Sequence, residues 1–178
     1  MSDEMICDGE WLQQAQPGWT AVEFPHEIVQ DNFVSGDTNG RRLTVRYFRS
    51  DAEACLVAKV LFGPEAQGPP GHAHGGSMAA LLDELMGGAA WMSGHMVVSA
   101  ELTIRFKTML PLGTRCIMRA QVTAADGRKV RTNSTIYDEE GTVFSEGEAL
   151  FIELDPKRFG DLAADVSSLL PFQVREPS

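Results

Sequence analysis

The segment GGSMAALLDELMGGAAWM, residues 75–92, carries apolar side chains at Met78, Leu81, Leu82, Leu85, Met86 and Ala89. Steps of three and four residues keep these on one face of a helix. Gly87 and Gly88 each cost about 1 kcal/mol relative to alanine in a helix interior. With Ala79, Ala80, Ala89 and Ala90 they predict a helix closely surrounded by other backbone, and hence a buried central element.

On either side of this helix the apolar period changes from 3.6 to two. RRLTVRYFR (41–49) and ACLVAKVLF (54–62) read as an antiparallel pair with its turn at 50–52. GPEAQGPPG (63–71) then breaks all regular structure before the helix. After it, MVVSAELTIRFKT (96–108), RCIMRAQVTAAD (115–126), RKVRTNSTIYDE (128–139) and TVFSEGEALFIEL (142–154) read as four successive strands. Asp126-Gly127 and Glu140-Gly141 supply turns between the last three. The order β-β-α-β-β-β-β predicts an α+β fold, one antiparallel curved sheet wrapped around a long central helix. The domain is expected over 41–156. Residues 1–40, with Pro17, Gly18, Pro25 and the SGDTNG cluster, predict an irregular N-terminal extension. Residues 157–178 predict a tail with a short helix at 161–169.

At 178 residues the chain suits one domain with a core of its own. A net charge of −10 disfavours nucleic acid as a partner. No apolar run approaches the roughly 18 residues that a membrane span needs. The opening MSDEMICDGEWLQQ is acidic and has neither the basic nor the apolar part of a signal peptide. Cys7, Cys55 and Cys116 are widely spaced and fit reduced thiols in packing or surface positions. The expected location is therefore cytoplasmic. Basic residues concentrate at Arg105, Lys107, Arg115, Arg119, Arg128, Lys129 and Arg131, against only Glu101 and Asp126 in that stretch. Such a stretch suits a phosphorylated ligand, and equally suits solvated strand faces.

The chemistry is expected where HGGSMAALLD (74–83) enters the helix. Two glycines let a substrate approach the backbone closely. First-turn amides lack partners within the helix and sit at the positive end of its dipole. They can hold a carbonyl oxygen that becomes an oxyanion when its carbon is attacked. The residues alone leave open a glycine-rich loop that merely enters a helix.

His-Gly-Gly at the helix mouth, an acid nine positions after that histidine and a following strand of the form Ser-Ala-x-Leu resemble the hotdog-fold acyl-CoA thioesterases. GPPGHAHGG (68–76), VVSAELTIRFKTMLPLG (97–113) and SEGEALFIELDP (145–156) resemble the thioesterase-superfamily-member subgroup, in collinear order over roughly residues 54–157. The resemblance implies hydrolysis of an acyl-CoA thioester to a carboxylic acid and free coenzyme A. It implies Gly75 as the backbone donor to the thioester carbonyl. Asp83 becomes the nucleophile or general base, Ser99 an accessory hydroxyl and His74 a residue that orients the loop. It also implies a homodimer with shared active sites, Gly75 of one subunit serving with Asp83 of the other, and leaves a dimer of dimers open. Gly76 is expected near the substrate, and Met78, Leu82, Met86 and Trp91 along an acyl pocket. The CoA phosphates would meet some of Arg105, Lys107, Arg115, Arg128, Lys129 and Arg131. No metal or organic cofactor is implied.

Two positions depart from the family pattern. Many hotdog thioesterases carry Asn or Gln six residues before the His-Gly-Gly histidine, where this chain has Gly68 with Gln67 beside it. Ser99 stands where the subgroup usually has threonine, keeping the hydroxyl and losing a methyl that stiffens the rotamer.

Three other chemistries would use the same segment differently. His72, His74 and Asp83 are plausible zinc ligand types, but His26 and His95 do not cluster with them in sequence. A hotdog hydratase would carry a histidine five residues after the acid, and that position is Gly88. A non-catalytic acyl-CoA binding or sensing domain would use the same pocket without needing Asp83, and it is the alternative reading.

Overall fold

In the computed structural model, residues 3–23, 32–37 and 39–154 are described. Their elements in chain order are α1 (Asp3–Gln13), β1 (Trp19–Val22), β2 (Leu43–Ser50), β3 (Cys55–Phe62), α2 (Gly75–Met92), β4 (Val97–Phe106), β5 (Cys116–Asp126), β6 (Lys129–Asp138) and β7 (Val143–Glu153). The strands form one sheet in the order β1-β2-β3-β5-β6-β7-β4, and every pairing is antiparallel. Gly127 and Gly141 adopt positive φ of 55° and 87° at the turns flanking β6. Glycine reaches that region without steric cost.

Helix α2 fills the concave face. Leu81, Leu82, Leu85 and Met86 are wholly buried among Leu56, Ala58, Val60 and Phe62 of β3, Met118 and Ile136. Each such side chain stabilises the fold by about 1.5–3 kcal/mol. Gly147 in β7 lets this helix sit close: a Cβ there would stand 3.1 Å from Met86 Cε and 3.2 Å from Ile104 Cδ1. The architecture is the sheet-wrapped helix of the hotdog fold.

The N-terminal region differs from the irregular extension expected of residues 1–40. It contains α1, and β1 adds a seventh strand beside β2. Trp11 and Leu12 bury against Phe48, Cys55, Val57 and Ile117, on the face of the sheet opposite α2. Cover on both faces explains why β3 is buried along almost its entire length. Lys59 lies in that strand at 3% exposure, and its ammonium donates to the carbonyls of Trp11 and Gln14 at 2.7 Å each. It thus serves carbonyls at the C-terminal end of α1. The helix expected at 161–169 lies outside the described residues.

Candidate active site

The mouth of α2 is held from several directions. The His74 N–H donates to Ala66 O at 2.7 Å, the Ala73 N–H to Leu110 O at 2.8 Å and the Gly68 N–H to His72 O at 2.9 Å. His74 is the N-cap, and its Nδ1 accepts from the Gly76 N–H at 2.8 Å. The imidazole proton therefore resides on Nε2. The Ser77 and Met78 amides donate to His74 O. Of these first-turn amides only that of Gly75 has no acceptor among the described residues. His74 thus holds the first turn of α2 through its side chain. Gly76, expected to meet substrate, has its amide engaged by His74.

Gly75 has a steric reason as well. The Phe106 ring lies over it, so that a Cβ at 75 would stand 3.2 Å from Phe106 Cζ. Gly75 lines a groove of about 310 Å³ with Pro69, His72, Met78, Phe106 and Lys107. The family's Asn/Gln position is closed in this chain: a Cβ at Gly68 would stand 2.8 Å from His74 Cα. Gln67 does not replace it, because its Oε1 accepts from the Gly71 amide at 2.9 Å.

Two turns further along α2, Asp83 meets Ser99 of β4. The Ser99 hydroxyl donates to Asp83 Oδ1 at 2.6 Å. The register of β4 against β7 shifts between Ser99 and Glu101. Such a bulge re-aims side chains locally. Asp83 and Ser99 open on a groove of about 320 Å³ with Asn32, Ser35, Glu84, Gly87, Gly88, Trp91, Val97, Val98 and Phe151. Eight residues of helix put Gly75 and Asp83 about 12 Å apart along one axis. Within one chain they therefore line different grooves.

Glu84 is a member of this site that its sequence position does not reveal. It accepts from Asn32 Nδ2 and Ser35 Oγ, each at 3.4 Å. Asn32 Oδ1 in turn accepts from the Val34 and Ser35 amides at 2.7 and 3.0 Å. The segment 32–36 is thereby fastened to α2 beside Asp83. Burial pushes the Glu84 carboxyl above its ordinary range, aided by the Asp83 charge and opposed by the two hydrogen bonds.

The other expected residues divide by environment. Leu82 and Met86, expected along the acyl pocket, are instead sealed in the core at 0% exposure. Met78 is 4% exposed and reaches the Gly75 groove, whereas Trp91 lines the Asp83 groove. Arg105 pairs with Glu148 at 2.8 Å and Lys107 with Glu146 at 2.9 Å, both across to β7. Arg115 pairs with Asp8 and lies over Trp11, fastening α1. Arg128 donates to Glu153 O at 2.8 Å, and Lys129 and Arg131 are exposed. Of the basic residues expected to meet phosphate, Lys107 is the one that lines the Gly75 groove. Among the described residues no three His, Cys, Asp or Glu side chains are grouped so as to hold a metal ion.

An amide with no acceptor among the described residues at a helix mouth, and a carboxylate–hydroxyl pair between that helix and its sheet, define a site suited to attack on an acyl carbonyl. The chain belongs to the thioesterase superfamily, whose model matches residues 70–145. Over 168 residues it is 35% identical to acyl-coenzyme A thioesterase THEM4 of Rattus norvegicus, covering 85% of this chain and 73% of that protein. It spans about half the length, 52% and 54%, of the THEM4 proteins of Bos taurus and Xenopus laevis that it matches. A solved thioesterase superfamily protein superposes with a TM-score of 0.62 at 26% identity, over 84% of this chain and 74% of that one. A Bacillus halodurans protein solved with CoA superposes with a TM-score of 0.51 at 25% identity, over 55% and 66%.

Proposed function

We propose that this protein hydrolyses an acyl-CoA thioester to a carboxylate and free coenzyme A, as a cytoplasmic homodimer with shared sites. The observation that carries the reading is the Ser99–Asp83 pair facing an open groove on a helix whose first amide, at Gly75, has no acceptor among the described residues. A thioester carbonyl needs a donor for its developing oxyanion, and the attacking water needs a base or a carboxylate in its place. Gly75 supplies the first and Asp83 the second. In the general-base route the carboxylate takes a proton from water as the water oxygen bonds to the carbonyl carbon. The carbon–sulfur bond then breaks, and the CoA sulfur leaves and is protonated. Ser99 holds Asp83 Oδ1 and leaves Oδ2 for the reaction.

The separation of about 12 Å along α2 argues that each Gly75 works with Asp83 of a second copy. Strand β4 supports that arrangement, being the sheet edge beyond β7 among the described residues. Val98, Leu102 and Phe106 on it are 49%, 38% and 55% exposed. A long apolar edge with unpaired backbone groups is a template for another strand. Lys107, beside Gly75, is the cation best placed for a CoA phosphate.

The test is thiol release from a panel of acyl-CoAs by wild type and Asp83→Asn, with the oligomeric state measured in parallel. The reading expects release by wild type, a loss of about 10²–10⁴ in turnover for the variant, and a dimer. Tight acyl-CoA binding without release would favour a sensor.

A further inference from the structure

We propose that Trp91 sets the length of the acyl chain this protein accepts, with the chain lying along Gly87 from Asp83 towards the indole. The inference rests on the thioesterase reading above and names the substrate class of that site. The groove beside Asp83 is bracketed by two hydrogen bonds between α2 and β4. Ser99 Oγ donates to Asp83 Oδ1 at one end, and Trp91 Nε1 donates to Val97 O at 3.1 Å at the other. That second bond fixes the indole against the start of β4, where Val97 and Val98 also line the groove. Phe151 and Gly87 line the stretch between. The polar groups Asn32, Ser35 and Glu84 stand on the Asp83 side. An acyl group anchored by its carbonyl at Asp83 has mainly apolar surface ahead of it until it meets the indole.

Gly87 supports this occupant. Glycine weakens a helix interior relative to alanine, so a mid-helix glycine calls for a reason. At Gly147, in strand β7, the reason for glycine is packing, because Met86 and Ile104 crowd the place of a side chain. At Gly87 packing gives none. Among the described residues a Cβ there would meet only Phe151 ring atoms at 3.6 and 3.8 Å, an ordinary contact. What a Cβ at 87 would occupy is the groove.

The length follows from the helix. Asp83 and Trp91 are eight residues apart, about 12 Å at 1.5 Å per residue. An extended chain with carbon–carbon bonds of ~1.5 Å advances about 1.3 Å per methylene, so the groove spans roughly nine carbons. The predicted substrate is a linear medium-chain acyl-CoA.

The experiment measures kcat/KM for straight-chain acyl-CoAs from acetyl to palmitoyl with wild type, Trp91→Ala and Gly87→Ala. Wild type should peak at about eight to ten carbons, and Trp91→Ala should move the peak about two to four carbons longer, the depth of the indole at that methylene advance. Gly87→Ala should melt no lower than wild type and lower the octanoyl-to-acetyl ratio of kcat/KM by about tenfold, as expected for one added carbon in a pocket. Because this second variant favours the helix, it keeps the test decisive if Trp91→Ala folds poorly. Asp83-dependent hydrolysis with an unmoved peak and an unchanged ratio overturns the gauge and leaves the thioesterase reading standing. Failure of wild type to release CoA from any member of the panel overturns both.

Discussion

Ser99 Oγ lies 2.6 Å from Asp83 Oδ1, joining the edge strand β4 to the middle of α2. A hydroxyl that donates to one carboxylate oxygen fixes the plane of the carboxylate and the direction of its second oxygen. Ser99→Ala should therefore lower kcat by about tenfold to a hundredfold, less than loss of the carboxylate itself. Ser99→Thr should restore most of the rate, since it returns the hydroxyl on a stiffer rotamer. Steady-state kinetics on one acyl-CoA checks this. Equal loss in both variants would show that the space at residue 99 matters and its hydroxyl does not.

His74 offers a test of orientation against proton transfer. Its Nδ1 accepts the Gly76 amide as the N-cap of α2. Removing an N-cap acceptor costs about 1 kcal/mol. His74→Ala should lower the unfolding free energy by about that amount and reduce turnover through disorder at Gly75. Asn ranks among the strongest N-caps, so His74→Asn should recover both stability and activity. Recovery of stability alone would assign the imidazole a chemical role.

Much of this was legible in the sequence because the apolar period switches abruptly at residues 75 and 96. The six strands expected after residue 40 match β2 to β7 within two residues at each end. Helix α1 was not legible, since DEMICDGEWLQ carries Gly9 and, of Trp11 and Leu12, neither is packed until Lys59 and the outer face of β3 are in place. The four residues of β1 are too few to show a period. At the site, the family likeness pointed to His74, Gly75, Asp83 and Ser99. The period of α2 marked Leu82 and Met86 as buried, but cannot tell burial against protein from burial against ligand. The sequence alone leaves Glu84 looking like a solvated helix carboxylate, because its partners lie about fifty residues away, where Asn32 and Ser35 carry no motif.

Glu84 makes stability depend on pH. Burial raises its folded-state pKa above the ordinary 4.5. A folded state that holds the proton more tightly is stabilised by this group below the unfolded value and loses that contribution as pH rises through the folded one. Glu84→Gln keeps an acceptor for Asn32 and Ser35 but cannot ionise. The stability of the variant relative to wild type should therefore climb as pH rises above about 4.5, then level off. Urea melts from pH 4 to 8 measure this. Parallel profiles over that range would refute a raised Glu84.

The last test separates α1 from the catalytic face. Lys59 is buried and donates at 2.7 Å to the Trp11 and Gln14 carbonyls, with its ammonium 4.6 Å from the Trp11 ring centroid. Lys59→Met preserves the apolar stem and leaves both carbonyls without that donor. Charged hydrogen bonds contribute about 1.5–3 kcal/mol each, and the added methionine packing offsets part of the loss, so a net cost of about 2 kcal/mol is expected. Helix α1 should loosen, read as a red shift in tryptophan emission and faster proteolysis within residues 1–18. CoA release should persist below the melting temperature, because α1 covers the sheet face opposite α2, Asp83 and Ser99. If release collapses while α1 stays protected, the two faces are coupled through β3, and a division between an outer strap and an inner catalytic face is wrong.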